Sequence, residues 1–181
     1  LSQLYHDHKK GIKAGYAKYE TFPIWNLPLN HPVNIAYEAA TADLKDNNMI
    51  DPWHLSAYNQ IAVNYNRDID IFPVLNTLFV NLMGESPYKS PTDMGVNMAG
   101  NCIIDDEAVK EASRQEIIRR YYSAICAAAK GVNKKDEIYK LELLMNQAGI
   151  SCDDRKCAVK AQELAQQTTQ PAAAAELCDG T

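Results

Sequence analysis

The distribution of proline divides this chain into two parts. Seven of its eight prolines lie between Pro23 and Pro91, and residues 101–170 contain none. Proline lacks a backbone donor and disrupts a helix interior, so long helices are favoured in the proline-free part. The first part is also rich in asparagine, which favours turns and helix caps. We therefore expect short elements and loops first, followed by a set of long helices.

Composition is that of a globular protein and excludes several functional classes. Of the 181 residues, 46% are hydrophobic and 23% are charged, and the formal net charge is −5. The apolar runs are shorter than the roughly 20 residues that span a bilayer. Positive charge is not clustered as it is on nucleic-acid-binding surfaces. We predict a protein without membrane or nucleic-acid partners.

The N-terminus predicts the compartment and the completeness of the chain. Residues 1–10 lack the order of charged, apolar and small residues that marks a secretory signal, which favours a cytoplasmic protein. Because the chain starts with Leu1 instead of Met, we expect it to be a fragment that pairs with the remainder of its own polypeptide.

The cysteines and histidines predict no metal site. The chain has five cysteines, at positions 102, 126, 152, 157 and 178. Their odd number and the absence of Cys-X-X-Cys spacing argue against a disulfide framework and a zinc site, so we expect reduced, mostly buried thiols. His6 and His8 would point to different sides of a helix.

The second part has helical periodicity throughout. A first helix is predicted from about residue 105 to Gly131, with an apolar face comprising Ile104, Ala108, Ala112, Gln115, Ile118, Tyr122, Ile125 and Ala129. A second helix is predicted over 136–148, ending at Gly149. A third is predicted over 153–167, with Cys157, Ala161 and Leu164 on its buried side. These helices form a predicted antiparallel bundle over 105–167, followed by a flexible tail over 168–181.

The first part predicts a mixture of elements. Residues 1–10 are predicted to end a helix, and residues 15–25, GYAKYETFPIW, have the aromatic content of a strand. A single strand is not stable alone, so residues 1–30 are interpreted as the remnant of an α/β, nucleotide-binding-like domain. The predicted fold class is mainly α, a helical bundle attached to the edge of an incomplete α/β layer.

Residues 31–104 are predicted to be short helices and a long loop. Prolines at first helical positions predict helices over 32–45 and 52–60, the second capped by Asp51. Asp70 is predicted to cap a third helix that runs to Met83. Residues 85–101 then form a long loop rich in glycine and asparagine, of a length that is often functional.

The candidate ligand-binding residues lie mainly in this loop. Lysine, arginine and asparagine side chains, with backbone amides near Gly95 and Gly100, could hold a phosphorylated ligand. The predicted ligand-binding set is Lys89, Asp93, Asn97, Asn101 and Arg114, with Arg67 and Asp68 second. Arg67 has the alternative of a structural ion pair. His31 is the candidate catalytic proton carrier, with helix capping as its alternative. Asp51 and His54 are interpreted as a cap and its neighbour.

Several long strings of the chain resemble a known family. They are FPIWNLPLNHPVNIAYEAATADL, NMIDPWHL, VNYNRDIDIFPVL, GESPYKSPTDMGVNMAGNCIIDD and ASRQEIIRRYY. They resemble a longer bacterial family catalogued as a domain of unknown function, some members of which are labelled ATP-dependent peptidase. The resemblance extends to about Gly149. It implies that a phosphate-binding-like turn precedes residue 1 and that this chain is a middle piece.

Two functions are therefore predicted for the complete protein. In the first, it is oligomeric and binds ATP, another nucleotide or another phosphorylated small molecule at a domain junction, although this fragment carries no cofactor itself. In the second, the helices of 105–167 form a non-catalytic assembly module that pairs with another subunit. Although some members of the resembled family are labelled ATP-dependent peptidase, the residues of this chain do not support peptidase chemistry, because no nucleophile signature is present.

Overall fold

The structure is a computed structural model that describes residues 2–14 and 23–177. Its elements, in chain order, are α1 (Ser2–Lys9), α2 (Pro32–Ala40), β1 (Asn48–Ile50), α3 (Pro52–Tyr58), β2 (Val63–Tyr65), α4 (Asn66–Met83), α5 (Pro91–Met94), α6 (Asp106–Ala129), α7 (Lys135–Ala148) and α8 (Lys156–Thr168). Short 3₁₀ turns occupy Ala42–Leu44, Met98–Cys102 and Cys152–Asp154. Helices predominate, which confirms the mainly-α prediction.

A three-helix core is built from α2, α6 and α7. Ile35 of α2, Ile117 and Ile118 of α6, and Leu141 and Leu144 of α7 are at most 2% exposed. These branched apolar side chains recur at helical spacing, so each helix buries one face against the other two. Two helices of the predicted bundle, α6 and α7, therefore pack together, and α2 of the proline-rich part packs with them.

The predicted packing of the third bundle helix was wrong. No residue of α8 is buried, and Leu164 is 46% exposed. Its inward positions are mostly small residues such as Cys157 and Ala161, which offer little apolar area to bury. Ile35 and Ala39 of α2 take that place in the core instead.

The predicted apolar face of the first bundle helix was also largely wrong. Ile104 is fully exposed and Ile125 is 36% exposed. The buried residues of α6 are Ser113, Ile117, Ile118 and Ala124. The first two turns of α6 contain no buried residue, so apolar spacing there does not correspond to packing. The predicted bounds of this helix agree with those of α6. Asp105 caps its start by accepting from the Ala108 amide.

A two-stranded antiparallel hairpin lies beside the bundle. Asn48 of β1 is opposite Tyr65 of β2, and Ile50 is opposite Val63. Helix α3 forms the connection between the strands, and Asp51 caps it by accepting from the amides of Trp53 and His54. The predicted cap is thereby confirmed.

Two predicted helix bounds in this region were wrong. Helix α2 ends at Ala40 and a separate 3₁₀ turn follows, which Lys45 ends in a left-handed conformation with φ 59°. Helix α4 starts at Asn66 instead of Asp70, so Asp70 and Pro73 lie inside it. The earlier start follows from the hairpin, because Asn66 exchanges backbone and side-chain hydrogen bonds with the main chain of Asn47.

The long loop of 85–101 packs inward and contains α5. Ser90 caps α5 by accepting from the Asp93 amide, and Asn97 accepts from the Ala99 amide. Ser90 and Asn97 are fully buried. A side chain at Gly100 would place its Cβ 2.5 Å from Ile24 Cγ2, so this glycine permits a close approach of two chain segments.

The predicted strand falls mostly outside the described residues. Residues 15–22 are not described, and Pro23–Trp25 form no regular strand. The Trp25 carbonyl accepts from the Val63 amide at 3.0 Å, which ties this segment to the hairpin. The α/β layer and the domain bounds therefore stay predictions.

Asn34 is the hydrogen-bonding centre of the segment that enters α2. Its side chain is fully buried. Its Oδ1 accepts from the Ile24 amide at 2.6 Å, and its Nδ2 donates to the carbonyls of Ile24, Leu27 and Pro28. One side chain thus satisfies several backbone groups that would otherwise be buried without partners.

Replacing Asn34 should therefore destabilise the fold. We expect Asn34→Ala to lower the free energy of unfolding by about 2–4 kcal/mol, because it leaves buried backbone groups unpaired. Asn81→Ala on the exposed face of α4 is the matched control. It should change the free energy of unfolding by less than about 0.5 kcal/mol. Urea unfolding followed by far-UV circular dichroism measures both, and equal effects would contradict this account.

Candidate functional site

An open cleft of 1290 Å³ lies between the end of α2 and the start of α4. Its walls come from α2, the 3₁₀ turn that follows, the end of β2, the first turns of α4 and Arg120 of α6. The cleft exists because α2 stops at Ala40 and the chain turns sharply at Lys45 before it enters the hairpin.

Three basic side chains line this cleft: Lys45, Arg67 and Arg120. Lys45 is 81% exposed, and its nearest acid, Asp136, is 3.9 Å away, a distance that contributes little at the surface. Arg67 donates to Asp46 at 2.9 Å while 59% of its side chain stays exposed. Arg120 Nε lies 2.9 Å from Glu116 Oε1, without the alignment of a hydrogen bond.

Acidic side chains share the cleft with these bases. Asp46, Asp68 and Asp70 all line it. Asp46 is only 1% exposed, and its charge is compensated by Arg67. This bond confirms the structural ion pair considered for Arg67, although the exposed remainder of the guanidinium still borders the cleft.

Tyrosine and aliphatic side chains complete the walls. Tyr65 is buried, its hydroxyl donates to the Tyr37 carbonyl, and burial raises the pKa of Tyr65 to about 12. Tyr65 therefore stays neutral at physiological pH. Leu44 and Ile71 line the cleft and are 55% and 42% exposed.

The predicted ligand-binding set is divided among separate places. Arg67 and Asp68 lie in the cleft. Lys89 and Asp93 lie next to α3, where Asp93 Oδ2 accepts from the Tyr58 hydroxyl at 2.8 Å and from the Lys89 amide at 2.9 Å. This bond raises the pKa of Tyr58.

The other members of the set are placed as follows. Asn97 is buried as a cap, and Asn101 is exposed in the turn after it. Arg114 lines a different depression, beside the connection from α7 to α8, and lies 3.6 Å from Glu111. Among the described residues, no hydrogen bond or ion pair joins Arg114 to Lys89 or Asp93, so the structure does not bring these charges together.

His31 caps α2. Its Nδ1 accepts from the Val33 amide at 3.2 Å, so the proton is assigned to Nε2, which donates to Asp106 Oδ1 at 3.0 Å. Hydrogen bonds from Lys110 and, to a smaller extent, from His31 lower the pKa of Asp106. Both ring nitrogens are engaged in the fold, which supports the capping alternative for His31.

A buried polar cluster between α3 and α5 was not predicted as a unit. Asp51 Oδ2 accepts from the amide and the hydroxyl of Thr92, and His54 Nδ1 lies 3.0 Å from Ser90 Oγ. A serine beside a histidine can act as nucleophile and base. Here Ser90 is 0% exposed and caps α5, so no substrate reaches its hydroxyl. The signal in the sequence was the Ser-Pro step at a helix start.

The cleft itself had no such signal. Arg120 is 75 residues after Lys45 and belongs to another helix, so tertiary packing is needed to bring it to the cleft that Tyr37 and Lys45 line. Within residues 2–14 and 23–177, no group of three or more His, Cys, Asp or Glu side chains is placed to share a metal ion.

Comparison with known proteins shows the family. A profile described as "Domain of unknown function DUF1846, N-terminal" matches residues 1–149, so the chain belongs to this family. The chain is 58% identical over 180 residues to a UPF0371 protein of Streptococcus pyogenes serotype M5. It is 59% identical over 180 residues to a UPF0371 protein of Streptococcus uberis.

These matches cover 99% of this chain and 36% of each relative, so the chain spans about a third of the length of those relatives. The predicted resemblance to a longer bacterial family is thereby confirmed. In the part of the chain that the structure describes, no helix has both the length and the apolarity to cross a bilayer.

The capping role of His31 can be tested by two substitutions. His31→Ala should lower the free energy of unfolding by about 1 kcal/mol more than His31→Asn, because asparagine can still cap α2 whereas alanine cannot. Both variants lose the bond to Asp106, so the difference isolates the cap. Urea unfolding measures it, and equal stabilities would contradict the capping role.

Proposed function

We propose that this chain supplies a binding site for a nucleotide or another phosphorylated small molecule in the cleft between α2 and α4. The observation that carries the proposal is that Lys45, Arg67 and Arg120 line one cleft, which the first turns of the 18-residue helix α4 also line. In the complete protein, the ligand would be ATP, another nucleotide or a sugar phosphate.

The phosphate would meet the basic side chains and the start of α4. Arginine presents a planar fork of donors that matches phosphate oxygens, and the exposed part of Arg67 is available for this contact. Tyr65, which precedes the first residue of α4, provides no side-chain hydrogen bond that would cap the helix. The positive end of the helix dipole therefore adds to the attraction for an anion.

The other walls of the cleft suit the remainder of such a ligand. The carboxylates of Asp68 and Asp70 can accept hydrogen bonds from sugar hydroxyls. Leu44 and Ile71 offer apolar surface to a base or a sugar ring. Because the cleft has both signs of charge, it suits a ligand with phosphate and hydroxyl groups better than a bare anion.

Of the predicted ligand-binding residues, Arg67 and Asp68 are the two that this proposal uses. Lys89, Asp93, Asn97, Asn101 and Arg114 stay a second predicted set. The Asp93 carboxylate already accepts from Tyr58 and Lys89, which favours a role in holding the loop. A catalytic role for His31 stays a prediction, and it ranks below the capping of α2.

A non-catalytic assembly module is the competing function. Ile104 before α6 is fully exposed, and Leu164 of α8 is 46% exposed, so the helices of 105–167 carry apolar residues that another subunit could cover. Homo-oligomerisation and a cytoplasmic location stay expectations for both proposed functions.

Ligand binding can be measured by thermal shift and titration calorimetry on the full-length protein. The probes are ATP, glucose 6-phosphate and inorganic phosphate. A ligand at about 100 times its dissociation constant stabilises the folded state by about 2.7 kcal/mol and therefore raises the melting temperature. We expect Lys45→Gln to weaken binding about tenfold, because a charged hydrogen bond contributes about 1.5 kcal/mol or more.

Lys160→Gln on α8 is the matched control. Lys160 is 72% exposed, pairs only with Glu163 among the contacts described, and lies outside the cleft. The control should bind as the unsubstituted protein does. If no probe shifts the melting temperature, or if Lys45→Gln and Arg120→Gln both bind normally, the proposed site is wrong.

A further inference from the structure

Helix α4 has three distinct faces. The first is buried and consists of Ile69, Phe72 and Phe79. The second is exposed and apolar and consists of Ile71, Val74, Leu78 and Leu82, which are between 42% and 57% exposed. The third is exposed and polar and includes Asp70, Thr77 and Asn81. We call the second face the α4 stripe.

The spacing of the α4 stripe makes it continuous. Its members are three or four residues apart, so their side chains lie next to one another along the helix over about three turns. A helix whose outer side only meets water usually carries polar residues there. On α4, four apolar residues instead form a continuous strip along one side, whereas Val80, which is 44% exposed, lies alone beyond the polar face. A continuous apolar strip of this kind is typical of a helix that also packs on that side.

The remaining polypeptide of the family is the occupant that fits this surface. The curated relatives contain this chain as 36% of their length, so about two thirds of such a polypeptide lies outside these residues. The stripe carries no charge, so it offers nothing that would select a charged partner. A covalently connected segment meets it at a high effective concentration, whereas a second copy must bind from solution.

We propose that the α4 stripe is the surface on which the part of the polypeptide outside these 181 residues docks. The docking does not depend on a ligand. Ile71 belongs to the stripe and also lines the cleft, so the docked segment would border the cleft and form its missing side. The proposed binding site would then lie at a junction between two parts of one chain.

Cysteine labelling of the full-length protein tests this proposal without any ligand. Leu78→Cys and Leu82→Cys place a thiol in the stripe, and Asn81→Cys places one on the polar face of the same helix. Maleimide labelling is followed at the peptide that contains each introduced thiol by mass spectrometry. Both stripe thiols should react at least about tenfold more slowly than the control in the native protein, and at the control's rate in denaturant.

The outcomes separate the possible occupants. If labelling is slow and stays slow when the protein is diluted about a hundredfold, docking within the same chain is supported. Slow labelling that is lost on dilution would identify a second copy and overturn the proposal. Labelling of both stripe thiols at the control's rate would show that the stripe is exposed, and would also overturn it. The ligand titrations above are independent of all three outcomes.

Discussion

The described fold depends on a buried carboxylate, Glu38 of α2, which is 8% exposed. Its Oε2 accepts from the Asn48 amide at 2.9 Å, and its Oε1 pairs with Lys140 of α7. A buried charge is costly unless it is paired and hydrogen-bonded, so this carboxylate is stable only when α2, α7 and the hairpin are all in place. Glu38 therefore specifies how the hairpin sits against the bundle.

Asparagine side chains extend this connection to both walls of the cleft. Asn48 Nδ2 donates to the Asn34 carbonyl in α2, and Lys140 also donates to Asn47. Asn47 in turn exchanges hydrogen bonds with Asn66, the first residue of α4. Directional bonds thus run from α7 through α2 and the hairpin to the start of α4, and the position of Arg67 follows from the position of Asn66.

Local chemistry in the sequence predicted much of the fold. Pro32 and Pro52 at first helical positions predicted where α2 and α3 begin, and Gly149 predicted where α7 ends. Such signals act within a few residues and are visible in one sequence. The start of α4 was missed because long-range bonds between Asn47 and Asn66 decide it. Leu164 was wrongly expected to be buried. Helical periodicity shows which residues share a face, but it cannot show whether a partner surface is available to cover that face.

The candidate site was harder to predict for the same reason. Arg67 and Asp68 were singled out from their local string, and both line the cleft. Lys45 and Tyr37 were not, because a cleft is a relation between elements and neither residue has a local signature. The loop of 85–101 was expected to hold a ligand for its glycines and asparagines. Its caps at Ser90 and Asn97 show that polar loop residues can also satisfy the loop's own backbone.

The most direct test of this account is a double-mutant cycle between Glu38 and Lys140. The free energies of unfolding of the full-length protein, Glu38→Ala, Lys140→Ala and the double variant are measured in urea. If the pair connects α2 with α7 as described, the coupling energy should exceed about 1 kcal/mol. Effects that add to within about 0.5 kcal/mol would contradict the claim that this pair positions the hairpin and the cleft.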